Sequence, residues 1–253
     1  MGRRIRKHAN PFTVSTRVGR LDRRALFGRE GPLEVDVGCG AGDFLLQRAA
    51  AHPELDFVGF EIRKPLVESA NRRAERAGLR NVTFLYANAH DNADFAEPGV
   101  VQRFCVQFPD PCFKKRHWKR RIVQPSFVRA MAERLPMGGE VFAQSDVRAL
   151  AEEMYAFLEA EPALEARSPA SLAFDNPFAE RTEWERQHER EGEPVHRMRF
   201  VKVRAPEGAV PEVPFRDTNP LRIGADGQPR ASEVSGESDA VRSPGGPAAS
   251  ESP

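Results

Sequence analysis

The chain has 253 residues, with 38 Lys and Arg against 37 Asp and Glu for a formal net charge of +1. That length suits one large α/β domain with room for an appendage, and 40% apolar with 30% charged residues fits a globular chain. No run approaches the ~20 apolar residues of a membrane span, the basic start Met1 to His8 lacks the apolar stretch of a secretory signal, and Cys39, Cys105 and Cys112 form no CxxC pair. The composition thus predicts a cytoplasmic protein with reduced thiols, no membrane segment and no metal framework.

Residues 1–29 carry nine Lys and Arg against one acid, Asp22. They read as a basic N-terminal arm over 1–30, either solvated or contacting phosphates. Leu33 to Val37 is a buried strand, Gly38, Gly40 and Gly42 form the turn that leaves it, and Asp43 begins a helix. Strand, glycine turn and helix open a nucleotide-binding βαβ unit. Asp43 stands where a dinucleotide fingerprint wants its third glycine, and a carboxylate there repels a pyrophosphate. An acid, Asp36, two places before glycines spaced by two instead resembles motif I of the S-adenosylmethionine-dependent methyltransferases. That ligand carries an ammonium, a sulfonium and no phosphate, so negative charge around it is favourable.

Asp56 to Phe60 is a second strand ending at Glu61, 25 positions after Asp36, where α/β nucleotide folds place a carboxylate for ribose hydroxyls. A helix starts near Pro65 and stops at Gly78; Val82 to Tyr86 is the third strand. Asn88 follows it, offering hydrogen bonds to an adenine edge, and His90 reads as a loop histidine. Arg103 to Phe108 is the fourth strand, ending at Pro109-Asp110-Pro111, where two prolines fix the backbone around one carboxylate. Lys114 to Arg121 then holds six Lys and Arg in eight residues around His117 and Trp118. Beside a ligand-side strand end, such a run reads as a phosphate-contacting patch.

Gln124 to Leu135 is a helix, Glu140 to Gln144 a fifth strand, and Asp146 either caps the helix Val147 to Ala160 or serves the site. Residues 161–180 carry no clear periodicity. Thr182-Glu183-Trp184-Glu185 fits a capping box, and His196 to Val203 reads as a last strand closing the sheet. From 204 to 253 the chain is rich in Pro, Gly, Ser and Glu, with Phe215 its only aromatic, and reads as a disordered tail dispensable for chemistry. The folded domain is thus predicted over 31–203.

With these pieces in order, the sequence resembles the bacterial tRNA (guanine-N7)-methyltransferases from about Leu33 to Lys202. The most specific stretch is Pro109-Asp110-Pro111-Cys112-Phe113-Lys114-Lys115-Arg116-His117-Trp118-Lys119-Arg120-Arg121, similar to the family's Pro-Asp-Pro-Trp-x-Lys-x-Arg-His-x-Lys-Arg-Arg. The resemblance implies an α/β Rossmann-like class I methyltransferase fold: a mostly parallel seven-stranded sheet, helices on both faces and an antiparallel last strand. It implies S-adenosylmethionine held by Asp36, Gly38, Gly40, Glu61, Asn88 and Asp110, with Asp110 also catalytic. It gives the guanine and its RNA to Lys114, Asp146, Thr182, Glu183, Trp184 and Glu185, and so overrides the capping reading of Thr182 and Glu185. The tRNA phosphates fall to Lys115, Arg116, Lys119, Arg120 and Arg121. The implied reaction is methylation of guanine N7 at position 46 of the tRNA variable loop, by a monomer or homodimer without a metal.

Three positions depart from the family pattern. Asp36 stands where many members have Glu, Asn88 where some have Asp, and Cys112 where Trp is usual, leaving Phe113 and Trp118 as the nearby rings. Asp110-Pro111-Cys112 also invites a cytosine-C5 RNA methyltransferase that attacks through Cys112. A non-catalytic RNA-binding protein on a vestigial fold is the third alternative.

Overall fold

The computed structural model describes residues 10–219. Short runs rich in Val, Phe and Leu become strands, because β-branched and aromatic side chains pack well on a pleated surface. β1 (Leu33–Val37), β2 (Asp56–Glu61), β3 (Val82–Tyr86), β4 (Val101–Gln107) and β5 (Glu140–Ser145) are parallel. β6 (Leu164–Ala166) and β5 each pair antiparallel with β7 (His196–Lys202). The sheet runs β3-β2-β1-β4-β5-β7-β6. This is the seven-stranded, mostly parallel sheet predicted above, with one difference at its edge. β7 lies between β5 and β6, so the three-residue β6, too short to show a period, closes the sheet instead.

Helices α1 (Arg23–Phe27), α2 (Asp43–Ala51), α3 (Lys64–Arg76), α4 (Pro125–Arg134), α5 (Arg148–Glu159) and α6 (Glu183–Glu191) complete the fold. Side chains of α2 and α3 pack with Phe57, Phe84, Cys105 and Phe142 on one face of the sheet. Those of α4 and α5 pack with Val35, Val58, Phe104, Val106 and Val141 on the other. Cover on both faces buries every residue of β1. Its one ion-paired acid, Glu34, takes Arg48 of α2 on both oxygens, at 2.8 and 2.9 Å.

Both ends of the described chain are docked rather than loose. Asn92 accepts from the Val18 amide at 2.7 Å and donates to the Thr16 carbonyl at 3.0 Å, while Val14 is buried. Asp22 caps α1 through the Ala25 amide, and Arg29 pairs with Asp56 at 2.8 Å. Residues 10–30 are thus tied to the domain at these points while most of their side chains stay exposed; residues 1–9 lie outside the described chain. The tail boundary at 203 also moves. Arg129 of α4 donates to the carbonyls of Glu207, Gly208 and Ala209, Phe215 packs edge-on against Phe157, and Thr218 is fully buried. A polar composition concealed this docking because much of it runs through the buried Arg121 and Arg129, with only Val213 and Phe215 reaching the apolar core. Residues 220–253 lie outside the described chain.

Candidate active site

The strand order reverses between β1 and β4, so the chain leaves their carboxyl ends in opposite directions and opens a cleft there. The cleft encloses about 830 Å³, and Asp36, Gly38, Gly40, Glu61, Asn88 and Asp110 all line it. That volume lies within the usual range of small-molecule sites. Gly38, at φ +79°, turns the chain where a Cβ would meet nothing within 4 Å. Gly42 is different: a Cβ there would stand 2.6 Å from the Phe84 ring, so the third glycine admits α2 against β3 rather than a ligand.

Asp36 sits on the cleft wall, buried, and its Oδ1 makes no hydrogen bond. Burial pushes its carboxyl up to about 7; the Gln107 amide opposes the shift and the charge of Glu61 adds to it. A buried acceptor without a partner costs free energy unless something donates to it. With Glu61, Asp91 and Asp110 also on the walls, this set of acceptors and negative charges fits a cationic ligand such as the ammonium and sulfonium of S-adenosylmethionine.

Glu61 is buried and already taken on both oxygens. Its Oε1 accepts from the Arg63 amide (2.9 Å) and Nε (3.1 Å); its Oε2 accepts from the Gly40 amide (3.0 Å) and Arg63 Nη2 (3.0 Å). Four donors match a carboxylate's roughly four acceptor positions. A ribose must therefore displace one of them, and the partly exposed Arg63 guanidinium is the movable one. Asn88 likewise serves its own loop first, donating to Asp91 at 2.8 Å and accepting from the His90 amide at 3.2 Å. His90, expected as a loop residue, lines the cleft and stacks on Phe127.

Beyond β4 the Pro109–Pro111 turn is bracketed by two residues in the left-handed region, Phe108 at φ +50° and Cys112 at φ +46°. Each such non-glycine residue costs about 1–3 kcal/mol and persists only where its surroundings hold it. Phe108 donates its amide to Gln144 O at 2.8 Å, and Asp110 Oδ1 accepts the Cys112 amide at 3.0 Å. Burial, with the charge of Asp110, pushes the Cys112 thiol up to about 12. A thiol so held protonated is a poor nucleophile, which argues against attack by Cys112.

The basic run divides. Lys114, Lys115 and Arg116 are exposed and outside the cleft wall; Lys119 and Arg120 line its rim. Arg121, expected on phosphate, is instead buried and paired with Glu153, itself buried, through two 2.7 Å bonds. An acid 32 residues downstream left no local trace beside the run of cations.

Thr182, Glu183 and Trp184 form the opposite wall. Thr182 Oγ1 accepts the Glu185 amide at 3.0 Å, closing half of the expected capping box. Glu185 does not face the substrate space. Its side chain is fully buried and bound by Gln144 (3.2 Å), Asn176 (2.6 Å) and Arg197 (2.9 Å), so it anchors α6. Asp146 stands behind this wall, accepting from Trp184 Nε1. Sequence reasoning also missed Phe12, Gln107, Ile122, Gln124, Gln187 and Phe215, all on the cleft wall. Only Phe215 carried a signal, as the single aromatic of its segment.

The family described as "Putative methyltransferase" matches residues 30–198, which run from before β1 into the start of β7 and take in every wall but the terminal ones. A tRNA (guanine-N(7)-)-methyltransferase of Trichormus variabilis is 39% identical over 207 residues, 79% of this chain and 96% of that protein. The chain belongs to the tRNA (guanine-N7)-methyltransferase family. A second member, from Synechococcus elongatus, is 41% identical over 79% of this chain and 96% of its own. A third, from a Synechococcus species, is 44% identical over 78% of this chain and 85% of its own. In all three the aligned span stops short of this chain's full length.

Proposed function

We propose that the protein transfers the methyl group of S-adenosylmethionine to N7 of a tRNA guanine, at position 46 of the variable loop, in the cytoplasm. The observation that carries this reading is the acid-lined cleft at the β1–β4 reversal, with the Asp110 turn on one wall and Lys119 and Arg120 at its rim. Bound there, S-adenosylmethionine supplies an electrophilic methyl on a positive sulfur. Asp36 and Glu61 hold its cationic and ribose ends. Guanine N7 has a free lone pair, so no residue need remove a proton. The chain's work is to orient the base and to stabilise a ring that becomes cationic.

Asp110 suits the second task as a carboxylate fixed between two prolines. Lys119, Arg120 and the exposed Lys114, Lys115 and Arg116 face the tRNA phosphates, while Trp184 and Thr182 wall the base that leaves its stack. The test is incubation with bulk tRNA lacking the modification, followed by mass identification of the methylated nucleoside. N7-methylguanosine is expected. Methylcytosine, or no methylation with intact S-adenosylmethionine binding, would overturn the reading.

A further inference from the structure

Arg121 spends its guanidinium on three separate parts of the chain. Nε donates to Pro111 O of the Asp110 turn at 2.8 Å, and Nη1 donates to both oxygens of Glu153 on α5 at 2.7 Å. Nη1 also reaches Arg216 O at 2.9 Å, and Nη2 reaches Thr218 Oγ1 at 2.8 Å. The Arg216 amide returns to Glu153, and the Trp118 ring lies 5.2 Å from the guanidinium carbon. Arginine's planar fork holds such a set in one orientation, which a lysine cannot do. The acceptors lie 95 and 97 residues downstream, in a segment whose Phe215 itself lines the cleft.

We propose that Arg121 is a positioning residue that fastens the C-terminal segment 215–219 to the Asp110 turn, so that this segment is part of the active site. The proposal rests on the methyltransferase reading for its kinetic readout. The turn holds two left-handed residues, Phe108 and Cys112, and needs contacts from outside itself to stay in place. Arg121 supplies one at Pro111 O, and its aim is fixed by Glu153 and Thr218. Loss of the Thr218 hydroxyl leaves a buried N–H without an acceptor and loosens the segment and the turn together.

The test compares Thr218→Val, which keeps shape but removes the hydroxyl, with Thr218→Ser, which keeps it, in the full chain. Thr218→Val should lower kcat on tRNA about tenfold with KM for S-adenosylmethionine within about twofold; Thr218→Ser should match the wild type. Hydrogen exchange gives a readout independent of activity: the amides of Phe108 and Cys112 should exchange at least about tenfold faster in Thr218→Val. A chain ending at Val213 should show the same two effects more strongly. Unchanged kcat and unchanged exchange in Thr218→Val, or a chain ending at Val213 that turns over like the full one, overturns the proposal. A wild-type chain that binds S-adenosylmethionine without methylating tRNA fails the functional reading instead, and the exchange comparison still decides the coupling.

Discussion

Trp184 donates its indole N–H to Asp146 across 3.2 Å, joining the first turn of α6 to the end of β5 over 38 residues of sequence. His188 stands behind both: its Nε2 is 3.3 Å from Asp146, and its ring meets Trp184 edge-on at 5.3 Å. Asp146 therefore sets the angle at which the Trp184 ring faces the cleft. Trp184→Phe keeps an aromatic ring, though a smaller one, and loses this bond. KM for tRNA is expected to rise about three- to tenfold, in line with roughly 1 kcal/mol for one hydrogen bond. Calorimetric affinity for S-adenosylmethionine should stay within twofold, and an equal loss of both affinities would refute the assignment of this wall to RNA.

Asp36 links ligand binding to pH. Its carboxyl lies at about 7 in the fold, against an ordinary 3.8. Between those values the folded state binds more protons than the unfolded, so ligand-free stability falls as pH rises through that window, by at most ~4 kcal/mol. A cationic ligand reverses the preference. S-adenosylmethionine affinity should fall about tenfold per pH unit below 7, with proton release seen in buffers of different ionisation heat. Asp36→Asn should flatten both trends. Equal wild-type affinity at about pH 5.5 and 7 would show that Asp36 does not face the cation.

Asp110 and Cys112 separate the two chemistries. Asp110→Asn removes the charge that favours a cationic ring and should lower methyl transfer ~10²-fold, far more than it lowers S-adenosylmethionine affinity. Cys112→Ser should retain most activity, because the thiol is held protonated by burial and by Asp110. The reverse pattern in single-turnover assays would hand the site to covalent cytosine chemistry.

Lys119 and Arg120 differ from their neighbour Arg121 although all three are cations in a row. Lys119→Ala with Arg120→Ala should flatten the salt dependence of tRNA binding by up to two phosphate contacts and leave the melting temperature close to wild type. Arg121→Ala strands Glu153 without its partner and should cost about 3–5 kcal/mol of stability. Thermal melts beside salt titrations check both, and a salt-slope change for Arg121→Ala in a chain of wild-type stability would return Arg121 to the phosphates.

Arg63 competes for the acid that a ribose needs. Arg63→Ala should tighten S-adenosylmethionine binding or leave it unchanged, since the Gly40 amide still orients Glu61. Glu61→Gln should weaken it by about 1–3 kcal/mol. Calorimetry on the two variants decides; a large loss for Arg63→Ala would mean that the guanidinium touches the ligand itself.

What could be read from the sequence was what is local. β1 and β3 have the bounds their apolar runs suggested: β1 is buried along its whole length, and β3, at the sheet edge, is a short β-branched and aromatic run bounded by turn residues. The β1 turn and the Asp110 turn announced themselves through glycine and proline, whose backbone effects act within a few residues. Arg121 and Glu185 are hard to read for the opposite reason. Each looks like surface chemistry next to its neighbours, and each is buried by partners from distant strands, helices or the C-terminal segment. β6 was lost because three residues at a sheet edge carry no period.

The Arg121 fork also fixes an order of assembly. β4 and the Asp110 turn leave the ribosome about a hundred residues before Arg216 and Thr218 do, and synthesis at ~5–20 residues per second makes that an interval of several seconds. During it Arg121 has Glu153 but lacks its acceptors on the C-terminal segment, and β5 lacks its neighbour β7. The newborn chain thus passes through a stage with its cofactor-side glycine turn formed and its base-side wall unfinished. Chains stalled before residue 216 should be cut by protease near residues 108–121, where the released protein resists. On the proposal made above, methylation competence waits for residues 215–219 to be made and docked.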